Sequence, residues 1–390
     1  MSKARADLIE RAALAARQVL LHNRRGPCNG LPRTAGWGYP EPYTRDLLIS
    51  GLAALVTGDR PLMAALGRVL RTLAAGRSPH GQIPSLVHQT QDLGASDTTP
   101  LFLMILAMYR QATGRPDFLE PAARAALTWM EYQSPDDRVM VAQLPTSDWR
   151  DEQWVLGYGL YVNTVVYACL RLFGRHKQAR QLRRLMHRHT ITAAVQPRDV
   201  QEGLVVRHKP YYALWSYKLF SSERFDLLGN SLAILTGLAR RTRARAIIDW
   251  VEDECLAMRG RGELVGELPP NFFPFVRPGD PEWSSRYEKL NQPGRYHNGG
   301  VWPFIGGFYV AACIAAGRRQ LARKRLDALA RAVLPARNAE LEFGFNEYLQ
   351  AQTGQAAGYD WQSWSAAMFL YAVECVRREN TPFFDQVRAA

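Results

Sequence analysis

The sequence predicts an all-α protein, an (α/α)6 toroid of six inner and six outer helices with long loops closing one mouth. Three observations carry this expectation. Twelve segments space their apolar residues with helical period, while strand-like alternation is rare. These segments alternate between nearly charge-free and amphipathic. The longest connections, 76–98, 133–156, 193–224, 256–301 and 334–360, all precede charge-free segments.

In chain order, helix 4–21 is amphipathic, its apolar positions interrupted by Asp7, Glu10, Arg11 and Arg17; together with Lys3 and Arg5 these charges also exclude a signal peptide. Helix 44–57 is apolar beyond its first turn and 60–75 is amphipathic. Helix 99–113 opens TPLFLMILAMY and is followed by the amphipathic 116–132. The next pair is 157–173, with GYGLYVNTVVYACL, and the basic 176–192. Then come 225–239 with 242–257, and 302–316 (WPFIGGFYVAACIAA) with 318–333 (RRQLARKRLDALARAV). Helix 361–378 is the last. A helix apolar all round must be buried all round, whereas an amphipathic one buries a single face. Short links with glycine, Thr57-Gly58-Asp59 and Ala316-Gly317, join inner to outer helices. No motif recurs from pair to pair, which argues against a superhelical array and for one domain over 1–390.

Hydrophobic residues at 47% and charged residues at 22% fit a globular chain long enough to bury a large core. The net charge of +13 raises a nucleic-acid reading, but the denser runs 171–188 and 318–325 read as solvated helix faces, His187 and His189 included. No zinc-finger spacing, RNP-like strand or basic zipper accompanies them, so no nucleic-acid partner is expected. Cys28, Cys169, Cys255, Cys313 and Cys375 have neither redox nor metal spacing, which points to a reducing cytoplasm. No apolar stretch is long enough to span a membrane. The alternation near Val205 and Val206 suggests a short β-ribbon. Walker, dinucleotide and nucleophile-elbow motifs are absent from the sequence.

Six loop-to-helix junctions hold the distinctive residues: 37–46, 94–100, 147–152, 224–230, 295–303, and 345–348 with 359–364. Each joins a carboxylate, Arg, His or Asn to aromatic rings, a mixture suited to the hydroxyls and C–H faces of sugars. Glycoside hydrolysis needs two carboxyl groups flanking the scissile bond. Asp46, Asp97, Asp148, Asp151, Glu152, Asp226, Glu347 and Asp360 lie at the junctions, although Asp97 and Asp360 also fit as helix caps. His297 is open as a base or a ligand. No second His or Cys stands at ligand spacing, so neither a metal nor any cofactor is expected.

Over about residues 37–378 the chain resembles glycoside hydrolase family 100, the neutral and alkaline invertases. The resemblance rests on 295–318, 225–252 and 346–365, on His297-Asn298-Gly299-Gly300-Val301-Trp302-Pro303, on Tyr43-Thr44-Arg45-Asp46 and on Ser96-Asp97. It implies an (α/α)6 barrel that cleaves sucrose with inversion, Asp97 as general acid and Glu347 as general base. It implies too that Arg45, Asp46, His297, Asn298 and Trp302 hold the sugar. Tyr43, Trp149, Asp151, Glu152, Arg295, Gln362 and Trp364 complete the binding set expected at the junctions.

After Asp97, Thr98-Thr99-Pro100-Leu101-Phe102 is closer to the amylo-α-1,6-glucosidase domain of glycogen debranching enzymes, and 147–152 departs from the family as well. The expectation is therefore an exo-acting hydrolase of a small α-glucoside, sucrose first, with an α-1,6-glucosidase or a hydrolase of another glucosylated metabolite as alternative. A sugar phosphorylase and a non-catalytic sugar-binding protein rank below, and an epimerase lower again. The partner is a small carbohydrate, with a homo-oligomer left open.

Overall fold

The computed structural model describes residues 3–135, 139–190 and 203–389. It is mostly helical with few strands: α1 (Lys3–Asn23), α2 (Thr44–Thr57), α3 (Arg60–Gly76), α4 (Thr98–Thr113), α5 (Glu120–Glu131), α6 (Leu160–Leu172), α7 (His176–Met186), α8 (Leu227–Leu235), α9 (Arg241–Gly260), α10 (Pro303–Ala315), α11 (Arg319–Ala332), α12 (Ser363–Arg378) and α13 (Phe384–Ala389). Among the even-numbered helices, α2 packs on α4, α4 on α6, α6 on α8, α8 on α10 and α10 on α12, and α12 packs back on α2. Their sequences explain why. All nine residues of α8 are buried, as are Pro303–Ile314 of α10, so neither helix has a face fit for water. The odd-numbered helices α3, α5, α7, α9 and α11 each pack on the even-numbered helix before them, and α1 packs on α12. In α7, Ala179, Leu182, Leu185 and Met186 are buried, which is one stripe of an otherwise polar helix.

Chain reversals have local causes. Gly58 ends α2 at φ 65°, its N–H donating to Ala54 O, and Asp59 then caps α3 through Leu62 N–H. Several helices start later than the sequence pattern predicts. Tyr158–Gly159 (β1) pairs antiparallel with Trp215 and Ser216 of β2 (Ala213–Tyr217), so α6 begins only at Leu160. Phe225 and Asp226 end β3 (Phe220–Asp226), which pairs with β2 and with β4 (Phe272–Phe273), so α8 begins at Leu227. Leu119, at φ 59°, delays α5 to Glu120. A second pair, β5 (Tyr348–Leu349) and β6 (Ala356–Ala357), follows Glu347. The ribbon expected at Val205 and Val206 lies further along, as β2 and β3; Val205 makes only isolated bridges, to His189 and Tyr212. Helix α7 ends at Met186, short of the expected 192; residues 191 and 192 and the following 193–202 lie outside the described residues.

Backbone hydrogen bonds tie together the segments that lead into the even-numbered helices. Thr44 N–H donates to Ser85 O ahead of α4, and Ser96 N–H to Ser147 O ahead of α6. The four-stranded sheet links the starts of α6 and α8. Leu227 N–H then donates to Asn271 O, and Asn271 N–H to Gly300 O ahead of α10. Val301 and Leu349 exchange both bonds at 2.8 Å, Gln362 N–H donates to Phe345 O, and Ser363 N–H returns to Thr34 O ahead of α2. The N-terminal, positive dipole ends of the six even-numbered helices are thus held by one continuous band of loops. No helix among the described residues is long and apolar enough to cross a membrane.

Candidate active site

Asp97 stands at the second junction of that band, ahead of α4, and does not cap the helix: its backbone is helical and its side chain makes no capping bond. The carboxylate turns instead to Arg45, on the first turn of α2, which grips both oxygens, with Nη2 3.1 Å from Oδ1. Burial of Asp97 is complete and pushes its pKa up; the Arg45 guanidinium opposes the shift without reversing it. Tyr161, buried in the first turn of α6, places its hydroxyl beside Asp97. Thr98 and Thr99 hold the junction in place. Thr98 donates to Ile83 O at 2.7 Å and Thr99 accepts Ile83 N–H at 3.0 Å.

One residue along from Arg45, Asp46 is buried as well. Burial raises its pKa to about 7, with Arg45 opposing and the charges of Asp151 and Asp97 adding. Across the mouth, half-buried Glu347 precedes β5. Its pKa also rises to about 7 through burial, with Asp46 and Asp151 adding, while Tyr359 N–H at 3.3 Å holds it back. Asp46 therefore lies within the field of both proposed catalytic carboxyls. The Glu347 carboxylate fits against Gly358, where an added Cβ would overlap Oε2. Gly358→Ala is thus expected to displace Glu347 and lower kcat strongly with little change in the fold, checked by steady-state kinetics beside circular dichroism.

The walls are aromatic. Tyr39 stacks on Tyr359 at 5.4 Å and tilts against Tyr43 at 5.2 Å, with Asp46 and Glu347 both close enough to raise its pKa. His297 is buried between Tyr296, 3.9 Å away, and Trp302, with Trp149 edge-on. Burial and the nearby Arg150 and Arg45 push its pKa well below 6.5, against the opposing charge of Asp148. Its Nε2 is 3.9 Å from the exposed carboxylate of Asp151.

Behind these walls Arg150 is fully buried, 2.8 Å from Asp148 and 3.1 Å from Asp226. This cluster fastens the loop before α6 to the start of α8. Gln143 donates to Asp148 at 3.1 Å.

Of the residues expected to hold sugar, Tyr43, Arg45, Asp46, Asp151 and His297 gather around Asp97 and Glu347. Others are placed differently. The Asn298 amide is spent on Val276 N–H, Val276 O and Asn291 O, so it shapes its own loop rather than facing a ligand. Arg295 is exposed, and Glu152 pairs with Arg286. Trp149, Trp302 and Trp364 are buried packing elements, with Trp302 Nε1–H donating to Tyr296 O and Trp364 stacked on Phe304 at 4.0 Å. Gln362 is buried at the start of α12, which it precedes in place of Asp360; Asp360 accepts the N–H groups of Arg337 and Asn338. Tyr161, and Tyr39 and Tyr296 from within the junctions, are neighbours of Asp97 or Glu347 that were not among the residues expected to hold sugar. Among the described residues no three His, Cys, Asp or Glu converge as metal ligands.

Residues 219–379 match the alkaline and neutral invertase family. That segment holds Glu347, His297 and Trp302, whereas Arg45, Asp46 and Asp97 precede it. Cytosolic invertase 1 of Oryza sativa subsp. japonica is 34% identical over 155 residues, covering 38% of this chain and 25% of that invertase. Probable alkaline/neutral invertase D of Arabidopsis thaliana is 35% identical over 153 residues, 38% of this chain and 26% of its own length. The match thus spans about a quarter of these invertases. In fold, the chain is similar to a GH63 mannosylglycerate hydrolase from Thermus thermophilus, with a TM-score of 0.64 at 16% identity over 92% of this chain and 99% of that one. A wild-type glycosidase gives a TM-score of 0.64 at 14% identity over 97% and 98%.

Proposed function

We propose that the chain is a cytoplasmic, single-domain (α/α)6 glycoside hydrolase that releases one glucose from a small α-glucoside with inversion. The observation that carries this reading is the pairing of two carboxyl groups, Asp97 and Glu347, each raised by burial and both within the field of Asp46 at one aromatic mouth. The invertase match over Glu347 and His297 supports it.

Asp97, protonated, gives its proton to the glycosidic oxygen as the C1–O bond breaks. Glu347, ionised, takes a proton from the water that attacks C1 from the other face, and solvent then resets both groups. The Arg45 guanidinium receives the carboxylate that forms on Asp97, stabilising charge where it develops. Tyr39 and Tyr359 offer a stacked platform for a sugar face.

Sucrose is the first substrate to test. Glucosylated or mannosylated small acids come next, because a fold neighbour is a mannosylglycerate hydrolase. Proton NMR of such a panel in phosphate-free buffer is expected to show the free hexose, glucose from the glucosides. Turnover only with added phosphate would make the protein a phosphorylase, and saturable binding without any product a sugar-binding protein.

The raised carboxyls fix a pH dependence. Glu347 works ionised, so kcat/KM should fall as pH drops through about 7. Asp46→Asn removes a neighbouring negative charge and should move that limb to lower pH. Stability responds with its own sign. Asp46 binds its proton more tightly folded than unfolded, so its burial costs stability as pH rises from the unfolded value to about 7. Asp46→Asn should therefore raise Tm, and by more at about pH 8 than at about pH 5. A limb that stays in place, or an equal gain at both pH values, would contradict this account.

A further inference from the structure

We infer that the groove between α7 and α9 is a binding site for a polyphosphate anion, separate from the sugar site. Helix α9 begins a few residues after α8 ends, which places its start at the end of α8 away from the mouth. The groove encloses about 1000 Å³. Lys177, Arg180, Arg183 and Arg184 line it from α7, and Arg240 and Arg243 from the start of α9, and no carboxylate is among its lining residues.

The other dense basic run of the sequence is paired instead. On α11 and the residue before it, Arg318 pairs with Asp249, Arg319 and Arg323 with Glu379, Arg325 with Glu252 and Arg331 with Glu267. None of the six groove cations has a carboxylate partner among the described residues. The basic run of α7 is therefore only partly the solvated face its sequence suggests: it converges with cations of a second helix across a concavity.

The floor is built rather than loose. Half-buried Arg243 is fixed by donation to Pro210 O at 3.2 Å and by the Tyr212 ring, 5.1 Å beneath its guanidinium. His187 is not a solvated histidine; its Nε2 stands 3.0 Å from the Tyr212 hydroxyl and its Nδ1 2.7 Å from Arg183 O.

Local energetics point the same way. Helix α9 has no acidic residue in its first turn and no side-chain cap, and Arg240, Arg241 and Arg243 crowd its positive dipole end. Cations there oppose the dipole and one another, a conflict that an anion in the groove relieves. Guanidinium forks match phosphate oxygens in pairs. A concavity of this size suits a short chain of linked phosphates, free or carried on a nucleoside, better than the extended track of a nucleic acid.

Isothermal titration near physiological salt, with inorganic tripolyphosphate and with ATP as probes, tests this. One anion per chain is expected, with affinity reduced about tenfold or more in both Arg183→Ala/Arg243→Ala and the more exposed Arg180→Glu/Arg184→Glu. Arg319→Ala/Arg323→Ala, on a paired face, should leave binding unchanged. Equal affinity for the two probes assigns the site to the phosphate chain alone; tighter ATP binding assigns it to a nucleotide. The inference is overturned by an absence of saturable binding. Binding untouched by either groove variant overturns it, as does affinity for single-stranded DNA that exceeds both probes and grows with strand length. Sucrose turnover is a separate readout, so failure here leaves the sugar reading standing, and the reverse.

Discussion

Asp97→Asn is expected to lower turnover of the cognate glucoside by about 10²–10⁴-fold while the protein stays folded. The substitution keeps the shape of the side chain but removes the transferable proton. Arg45, left without its strongest partner, still has Asp46 beside it, so no uncompensated cation is created. The chemistry makes the prediction sharper. A leaving group that departs without protonation, such as the fluoride of α-glucosyl fluoride, should be cleaved almost normally by Asp97→Asn. Glu347→Gln should lose both reactions, because each needs an activated water. Near-normal turnover of the natural substrate by Asp97→Asn, or equal loss of glucosyl fluoride cleavage in the two variants, would remove Asp97 from the role of acid.

The second large effect is on stability. Arg150→Met should destabilise the protein by about 3–5 kcal/mol, because it strands the buried carboxylates of Asp148 and Asp226 without their cation. Arg150 is 0% exposed, so water cannot replace it. Adding Asp148→Asn and Asp226→Asn to Arg150→Met should recover part of the loss, since the penalty lies in unpaired charge more than in the missing contact. Denaturant unfolding measures both. A loss below about 1 kcal/mol, the scale of an exposed pair, would mean that the cluster does not brace the mouth.

Much of this architecture is legible in the residues, for identifiable reasons. Helix α2 runs from Thr44 to Thr57 as the apolar pattern predicts, because Gly58 and Asp59 stop it locally. The buried, charge-free runs of α8 and α10 leave no alternative to helices packed on several sides. The sheet is less legible. Strand β2 is buried almost throughout, so it shows no alternation, and β1 and β4 are two residues each.

The site divides in the same way. Arg45, Asp46 and Asp97 stand in short polar motifs at helix starts, and Glu347 in one just before β5, and all are visible there. Tyr161 sits inside an apolar helix and reads as core, so its place beside Asp97 needs the fold. Asn298 misleads for the opposite reason. It stands in a sugar-site motif, yet a long buried loop must satisfy its own backbone, and the Asn298 amide does that for Val276 and Asn291. The groove between α7 and α9 depends on two helices far apart in sequence, and a run of arginines on one of them cannot announce it.

The most direct test of the account is the anomer of glucose released first, followed by proton NMR within minutes of adding enzyme to an α-glucoside that it cleaves. Inversion by Asp97 and a water activated by Glu347 predicts β-glucose at the outset, with the α-anomer growing only by mutarotation. Initial release of α-glucose would mean retention through a covalent intermediate, and would contradict Glu347 as a base acting on water.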